Sequence, residues 1–497
     1  MRVKINPAAL LLKTGALLAI VLIAMVFGLV ATTANPMFVV LMVGLIGGIF
    51  LIAFPKISIT LLLSLGLVSG VLVSLVGPLS GKLPWAMALL GMSLFLPAVL
   101  MMFNKKNRQV PWFIWLALIF MLYALVSSLL NWSGFGEFVA GFKRYFQVYG
   151  LLLALAFLPL SKKDITLWQR VLLGVAILQL PFALYELLIL VPARGGLELN
   201  SFATDVVAGT FGANMEGGSP NVIMVVFLLI MFSFIFSRWR NGLIDTKWML
   251  GLGLLLLLPL GLGETKIAVV MVPLAWIVLI RHDAIKSPIK YLPVLVAGGV
   301  VTLMLLYIYV ELIMHSTISE VVEGTISYNF SDGKYGESFL NRTTVLSFWY
   351  NQQTLSDPLA FFFGNGIGSS FLGQISGHIG VMFPGYGINL TTLSTLLWDL
   401  GVVGAITYIA IFVCAWVLAN KLYRITNDPQ VKADLLAIQV SIALFVVLID
   451  YSQDMVNLIG LEIIYSAILG YLAYLYKTHH QGVALNNLQA NLHETKR

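Results

Sequence analysis

The stretch LLLLLPLGLGETKIAVVMVPLAWIVLI, residues 254–280, decides the fold because two apolar runs flank only three polar residues. Glu264, Thr265 and Lys266 have no loop around them. Apolar runs recur along the whole chain, and runs of roughly 17–25 apolar residues are long enough to cross about 30 Å of hydrocarbon. The stretch therefore predicts two membrane helices joined by a tight polar turn.

The composition of the chain also indicates a membrane protein. Of its 497 residues, 59% are hydrophobic and only 10% are charged, whereas soluble domains carry about 25% charged residues. A soluble protein of this length could not bury so many apolar side chains. We therefore predict an all-α polytopic membrane protein. Its first apolar segment, at 15–33, is interpreted as a retained helix because no small-residue cleavage site follows it.

Fourteen apolar segments can be counted, which predicts about 14 transmembrane helices. Their central residues are 15–33, 36–54, 58–76, 84–103, 110–130, 146–160, 168–190, 221–237, 248–263, 267–280, 291–310, 400–419, 433–450 and 458–476. The predicted organisation is a bundle of helices 1–11 over 1–310, a large periplasmic loop with short helices over 311–399, helices 12–14 over 400–476, and a cytoplasmic tail over 477–497.

Lysine and arginine alternate between the connections as the positive-inside rule requires. If the N-terminus is cytoplasmic, 22 of the 29 Lys and Arg residues fall on the cytoplasmic side, and so do both termini. The net charge of +7 therefore reports orientation in the membrane rather than binding of nucleic acid. The seven cations on the outer side are Lys82, Lys143, Arg144, Arg194, Lys266, Lys334 and Arg342.

Four of these outer cations, Arg144, Arg194, Lys266 and Arg342, are candidate binding residues because the positive-inside rule disfavours them there. Guanidinium groups at a membrane face suit the phosphate oxygens of a lipid headgroup. Interfacial anchoring or salt-bridge formation is the alternative. Lys266 lies at a predicted helix N-terminus, where backbone N–H groups favour an anion. Glu264 is expected to orient or balance a neighbouring cation.

Other reactive groups are few. His378, in the large loop, is the candidate general base, and simple solvation is the alternative. Cys414 is the single cysteine, so no disulfide or Cys-based metal site is expected. The acidic residues of the loop lack metal-ligand spacing, and the glycine-rich FGNGIGSSF at 363–371 has no βαβ unit around it. We therefore predict no catalytic metal and no cofactor.

Several motifs resemble the O-antigen ligase and polymerase superfamily. They are GTFGANMEGGSPN at 209–221, LGLGETKIAVVMV at 260–272, NRTTVLSFWYNQQTLSDPLAFFFGNGIGSSF at 341–371 and TTLSTLLWDLGVVGAITYIAIF at 391–412. The resemblance implies that Lys266, Arg342 and Arg144 bind a lipid diphosphate. Ligases of this family carry a His near 387–390, where this chain has no His, so His378 and Tyr386 are the candidate replacements.

The resemblance also implies a function. The expected protein is a metal-independent glycosyltransferase of the bacterial inner membrane. It would polymerise undecaprenyl-diphosphate-linked repeat units into O-antigen, capsule or exopolysaccharide at the periplasmic face. Its partners would be the lipid-linked glycan donor and acceptor, the lipid bilayer, a chain-length regulator and a flippase. An O-antigen ligase that transfers glycan to lipid A core is the first alternative, and a polysaccharide flippase or transporter is the second.

Overall fold

The computed structural model describes residues 47–76, 83–104, 109–193, 206–215, 220–263, 267–286, 338–353, 357–373 and 375–494, with a few single residues between 289 and 323. Within these ranges the chain forms helices and turns, and no β-strand. Eight helices are long and apolar enough to cross a membrane, which confirms a polytopic all-α membrane protein. The count of 14 stays a prediction, because the segments at 15–33, 36–54 and 291–310 lie wholly or largely outside the described residues.

The described residues form a series of helices. In order they are α1 (Pro55–Val76), α2 (Leu83–Ser93), α3 (Phe95–Met102), α4 (Trp112–Leu130), α5 (Phe135–Phe146), α6 (Tyr149–Phe157), α7 (Lys162–Tyr185), α8 (Asn221–Arg240), α9 (Thr246–Leu262), α10 (Ala268–Lys286), α11 (Thr344–Gln352), α12 (Pro358–Phe363), α13 (His378–Met382), α14 (Thr392–Ile425), α15 (Pro429–Tyr451) and α16 (Ile459–Glu494). The eight candidate spans are α1, α2 with α3, α4, α7 with its extension to Ala193, α8, α14, α15 and α16.

The sixth predicted span, at 146–160, differs in the structure. The chain there forms the amphipathic helix α5 and then α6, which has only nine residues, all of them buried. Nine helical residues rise only about 14 Å, but α6 connects α5 at one end of the bundle with α7, which starts at the opposite end beside Lys56. This segment is not among the eight candidate spans, so a separate span at 146–160 stays a prediction.

The spans divide into an inner and an outer set. Most of α8, α15 and α16 is buried, whereas the remaining spans expose a larger share of their residues. Exposed apolar side chains on the outer set include Leu122, Leu129, Ile406 and Val417. A helix that presents apolar side chains on its outer surface suits contact with lipid, since its backbone groups are already hydrogen-bonded internally.

The two ends of the bundle differ in construction. One end, here termed the basic end, holds the ion pairs Lys56–Asp164 and Arg238–Asp434, with N–O distances of 2.7 and 2.8 Å. The opposite end, here termed the site end, includes the last turn of α4, all of α5, and the turn between α15 and α16. Thr392 N donates a hydrogen bond to Ser452 O at 2.9 Å, which fastens the start of α14 to that turn.

Candidate functional site

A glycine-rich loop at the site end, formed by residues 363–371, encloses the carboxylate of Asp399. This carboxylate is fully buried. Gly368 N and Ser370 N each donate a hydrogen bond to this carboxylate at 2.9 Å, and Ser369 Oγ donates a third at 2.8 Å. Tyr145 OH, from α5, donates a fourth at 3.0 Å. A buried carboxylate is costly unless hydrogen bonds satisfy it. Asp399 therefore fixes the loop and α5 to α14.

Two glycines allow this close approach. Gly401 has a φ of 65° and interrupts α14 directly after Asp399. Gly364 has a φ of 74°, and a Cβ there would lie 2.4 Å from the Asp399 carbonyl oxygen. Only glycine adopts such backbone angles without strain and leaves room for a neighbouring backbone. Residues 392–400 thus form a short segment that ends at the loop, and the long part of α14 starts from it.

The C-terminal half of α4 forms a wall for the same loop. Ser127 Oγ donates a hydrogen bond to Phe363 O at 2.9 Å, and Ile367 N donates one to Ser128 Oγ at 3.0 Å. These contacts join residues more than two hundred positions apart in sequence. The loop is therefore held on one side by α4 and on the other by α14.

His378 begins α13 and is paired with Glu137 of α5. The two Glu137 oxygens accept hydrogen bonds from His378 N at 2.8 Å and His378 Nδ1 at 2.9 Å. The hydrogen bond with Glu137 raises the pKa of His378 above its usual 6.5, although burial opposes it. Burial alone would raise the pKa of Glu137, but hydrogen bonds from His378 and Ser133 lower it overall. This contact orients the ring and leaves Nε2 for proton exchange.

Arg144 lies in the last turn of α5, against the same loop. Its guanidinium carbon is 3.9 Å from the centre of the Phe371 ring. Burial lowers the pKa of Arg144, and Asp399 partly offsets that effect, but an arginine remains charged in proteins. Arg144 Nη1 is buried and has no hydrogen-bond acceptor within the described part of the chain. The site thus contains a cation whose position is fixed and whose Nη1 donor has no acceptor among the described residues.

Lys143 adjoins Arg144 and has a different environment. Its Nζ lies 4.8 Å from the centre of the Trp85 ring, a distance typical of a cation–π contact. Burial lowers the pKa of Lys143, and the buried carboxyl of Glu462 partly counteracts that shift. Two neighbouring cations therefore lie at the break between α5 and α6.

Arg342 precedes α11 and joins the loop region to the end of α15. Its Nε donates a hydrogen bond to Tyr451 O at 2.7 Å, and its guanidinium carbon is 4.0 Å from the centre of the Tyr451 ring. Burial raises the pKa of the nearby Asp454 to about 6, while Ser452 and Arg342 oppose that rise. Arg342 is therefore held at the site end by α15 and lies in an acidic environment.

Tyr386 belongs to an aromatic cluster under the loop. Its ring stacks on Phe348 with centres 5.1 Å apart and also contacts Phe339 and Phe383. Trp398 completes this cluster and is almost fully buried. These aromatic side chains form a second, smaller hydrophobic core at the site end. For Tyr386, packing is thus the role that its contacts indicate.

The structure places four of the seven predicted site residues. Arg144 and His378 meet at the glycine-rich loop, because Arg144 packs on Phe371 and His378 is bonded to Glu137 of the same helix, α5. Arg342 and Tyr386 lie at the same end of the bundle. The other three predicted residues, Arg194, Glu264 and Lys266, lie outside the described residues.

Sequence reasoning did not assign roles to Asp399, Glu137 or Glu462. Glu462 is fully buried near the start of α16, where Gln147 Nε2 donates a hydrogen bond to it at 2.6 Å. An acidic residue within an apolar segment is by default a candidate functional residue, and that signal was present for Asp399 and Glu462. Glu137 could have been found from the amphipathic pattern of α5, which is typical of a helix lying at a membrane face.

The GTF motif forms a separate buried turn, Gly209–Phe211. Glu186, in the π-helical extension of α7, accepts hydrogen bonds from Ala208 N at 2.8 Å and Gly209 N at 2.6 Å. Gln179 Nε2 donates a further hydrogen bond to Thr210 Oγ1 at 2.5 Å. This motif is therefore fixed by side chains of α7.

No protein-family model matches the chain, and no curated protein matches it. Among the residues that the structure describes, there is also no group of three or more His, Cys, Asp or Glu side chains arranged to hold a metal ion. Inference about function therefore rests on the motifs and on the geometry of the site end.

Proposed function

We propose that this chain is a membrane-embedded glycosyltransferase that joins undecaprenyl-diphosphate-linked oligosaccharide repeat units. The observation that carries the proposal is Arg144, a half-buried cation at the site end whose buried Nη1 donor has no acceptor among the residues that the structure describes. A guanidinium group with free donors is suited to a phosphate oxygen. A lipid diphosphate brings such oxygens to the membrane face, where α5 lies.

The distribution of charge supports an outer location for this site. Within the described ranges only three cations, Lys143, Arg144 and Arg342, lie at the site end. The basic end holds Lys56, Lys162, Lys163, Arg170, Arg238, Arg240, Lys247, Arg281, Lys421, Arg424 and Lys432. Because cytoplasmic connections are enriched in Lys and Arg, we assign the basic end and both termini to the cytoplasm and the site end to the periplasm of a bacterial inner membrane.

The reaction we propose is a direct displacement. A hydroxyl oxygen of the acceptor glycan attacks the anomeric carbon of the donor, and the bond from that carbon to the diphosphate oxygen breaks. Undecaprenyl diphosphate leaves with the bonding electrons. Arg144 and Arg342, with Lys266 as predicted from the sequence, stabilise the negative charge that develops on the leaving group. The new glycosidic bond lengthens the chain by one repeat unit.

The proton of the attacking hydroxyl passes to His378. Glu137 holds Nδ1 of this ring at 2.9 Å, so that Nε2 can accept the proton. A base oriented by a carboxylate is a common arrangement for activating a hydroxyl group. His378 must be neutral to act, and its raised pKa makes it a stronger base once neutral.

Reconstitution of the purified protein in liposomes tests the proposal and its alternatives. With undecaprenyl-diphosphate-linked repeat units alone, we expect a ladder of products of increasing length. A single transfer that requires added lipid A core would identify a ligase instead. Movement of the lipid-linked glycan across the bilayer with no new glycosidic bond would identify a transporter and overturn the proposal.

A further inference from the structure

An apolar cavity of about 130 Å³ lies in the basic half of the bundle, far from the glycine-rich loop. It is lined by α1, α6, α7, α8, α9 and α16, and its apolar lining includes Leu172, Leu173, Ile235, Leu252 and Ile468. Gln169, Arg238 and Tyr471 contribute polar groups to the lining, and so does the indole of Trp168. An apolar cavity of about 150 Å³ stays free of water and admits a molecule the size of benzene. This cavity therefore suits a short length of hydrocarbon.

The depth of the cavity matches one leaflet of a bilayer. Its lining residues on α7 run from Ile165 to Leu173, a rise of about 12 Å. They begin three residues after Lys162, where α7 starts. One leaflet contributes half of the roughly 30 Å of hydrocarbon. The cavity thus lies at the depth of the acyl chains of the leaflet at the basic end.

Cations lie where the headgroup of such a lipid would be. Lys162 is exposed, and on α7 it shares a face with the lining residues Ile165 and Gln169, at spacings of three and seven residues. Arg238 uses Nε and Nη2 to bind Asp434 and Gln169. Within the described part of the chain, no acceptor bonds to its Nη1. Basic pockets between transmembrane helices bind acidic lipid headgroups.

We propose that this cavity binds one anionic glycerophospholipid from the leaflet at the basic end. An acyl chain fills the cavity, and the phosphate contacts Lys162 and Arg238. The site is separate from the glycosyl-transfer site and does not depend on the proposed function, because the two lie at opposite ends of the bundle.

Native mass spectrometry of the purified protein, titrated with phosphatidylglycerol or phosphatidylcholine of equal chain length, tests the proposal. We expect one phosphatidylglycerol to bind, with weaker binding of phosphatidylcholine. Leu173→Trp fills the cavity, and loss of contact with about two methylenes reduces binding about tenfold. Leu178→Trp is the matched control, because Leu178 lies on α7 with 42% exposure. Lys162→Gln should reduce the preference for phosphatidylglycerol.

A second cavity-filling variant, Ala467→Leu on α16, keeps the test valid if Leu173→Trp fails to fold, which thermal unfolding in detergent would reveal. Retention of wild-type lipid binding by a folded cavity-filling variant would overturn the proposed site. Equal binding of phosphatidylglycerol and phosphatidylcholine by the wild-type protein would overturn the anionic headgroup. Binding of no phospholipid would overturn both.

Discussion

Charged side chains have different kinds of partner at the two ends of the bundle. At the basic end, Lys56 and Arg238 are paired with carboxylates at 2.7 and 2.8 Å. At the site end, Asp399 is satisfied by backbone N–H groups and hydroxyls, and Arg144 rests on an aromatic ring with Nη1 unused among the described residues. The carboxylates of the basic end neutralise cations, whereas the carboxylate of Asp399 accepts the hydrogen bonds that hold the glycine-rich loop in place. This difference leaves the buried Nη1 donor of Arg144 available to a ligand at the site end, with no carboxylate paired to it among the described residues.

The largest effect should follow removal of Asp399. In Asp399→Ala, Gly368 N, Ser370 N and Tyr145 OH lose their acceptor inside the protein, and the free energy of unfolding should fall by about 3 kcal/mol or more. Thermal unfolding in detergent measures this loss. The control is Asp428→Ala at the N-cap of α15, at the basic end, which should cost about 1 kcal/mol. Equal losses in the two variants would show that Asp399 is an ordinary polar residue.

The break in α14 offers a second way to test the site end. In Gly401→Ala the new Cβ would lie 2.5 Å from the Phe362 backbone at a φ of 65°. We expect a loss of about 2 kcal/mol, because an L residue is strained at this angle and the loop must shift. Gly251→Ala in α9, where a Cβ meets nothing within 4 Å, should be neutral or stabilising. An unaffected melting temperature in Gly401→Ala would contradict the loop geometry.

The pH dependence of glycosyl transfer should report on His378. Because Glu137 raises the pKa of His378, the neutral base forms only as pH rises through a midpoint above 6.5. The transfer rate should therefore increase with pH through that midpoint. Glu137→Gln should move the midpoint to lower pH, and His378→Ala should slow transfer about 100-fold. His480→Gln, at the basic end, is the control. A midpoint unchanged in Glu137→Gln would remove Glu137 from the mechanism.

The same pair links pH to stability. The raised pKa of His378 makes its contribution complete below the unfolded pKa of histidine, and that contribution is lost as pH rises through the folded value. The lowered pKa of Glu137 makes its contribution complete above the unfolded pKa of glutamate and lost as pH falls through the folded value. The pair therefore stabilises the site end most in mildly acidic solution, between the unfolded pKa of glutamate and the unfolded pKa of histidine.

Much of the fold, but less of the site, could be predicted from the sequence. The spans at 110–130 and 433–450 correspond closely to α4 and α15, because long and predominantly apolar runs have no stable alternative to a membrane helix. The site depends instead on contacts between distant residues. Glu137 and His378 are 241 positions apart, so no local pattern reveals their pairing. Arg144 and Arg342 could be predicted from the sequence because they are cations on the outer side, where the positive-inside rule disfavours them.

The smallest effect should come from a surface ion pair at the basic end. Lys56 is 51% exposed in its pair with Asp164, and exposed pairs contribute about 0–1 kcal/mol. Lys56→Gln should therefore leave the melting temperature and the transfer rate almost unchanged. A large loss of activity in this variant would show that charge at the basic end also contributes to the site.

The rate of consumption of the diphosphate-linked donor by Arg144→Gln tests the central claim most directly. Reconstituted in liposomes, this variant should consume donor at least about 100-fold more slowly than the wild-type protein, as expected when a positioned donor to a leaving anion is removed. Arg170→Gln, which alters an exposed cation at the basic end, should retain the wild-type rate. Donor consumption at the wild-type rate by folded Arg144→Gln would contradict the assignment of the site end as the place where the lipid diphosphate binds.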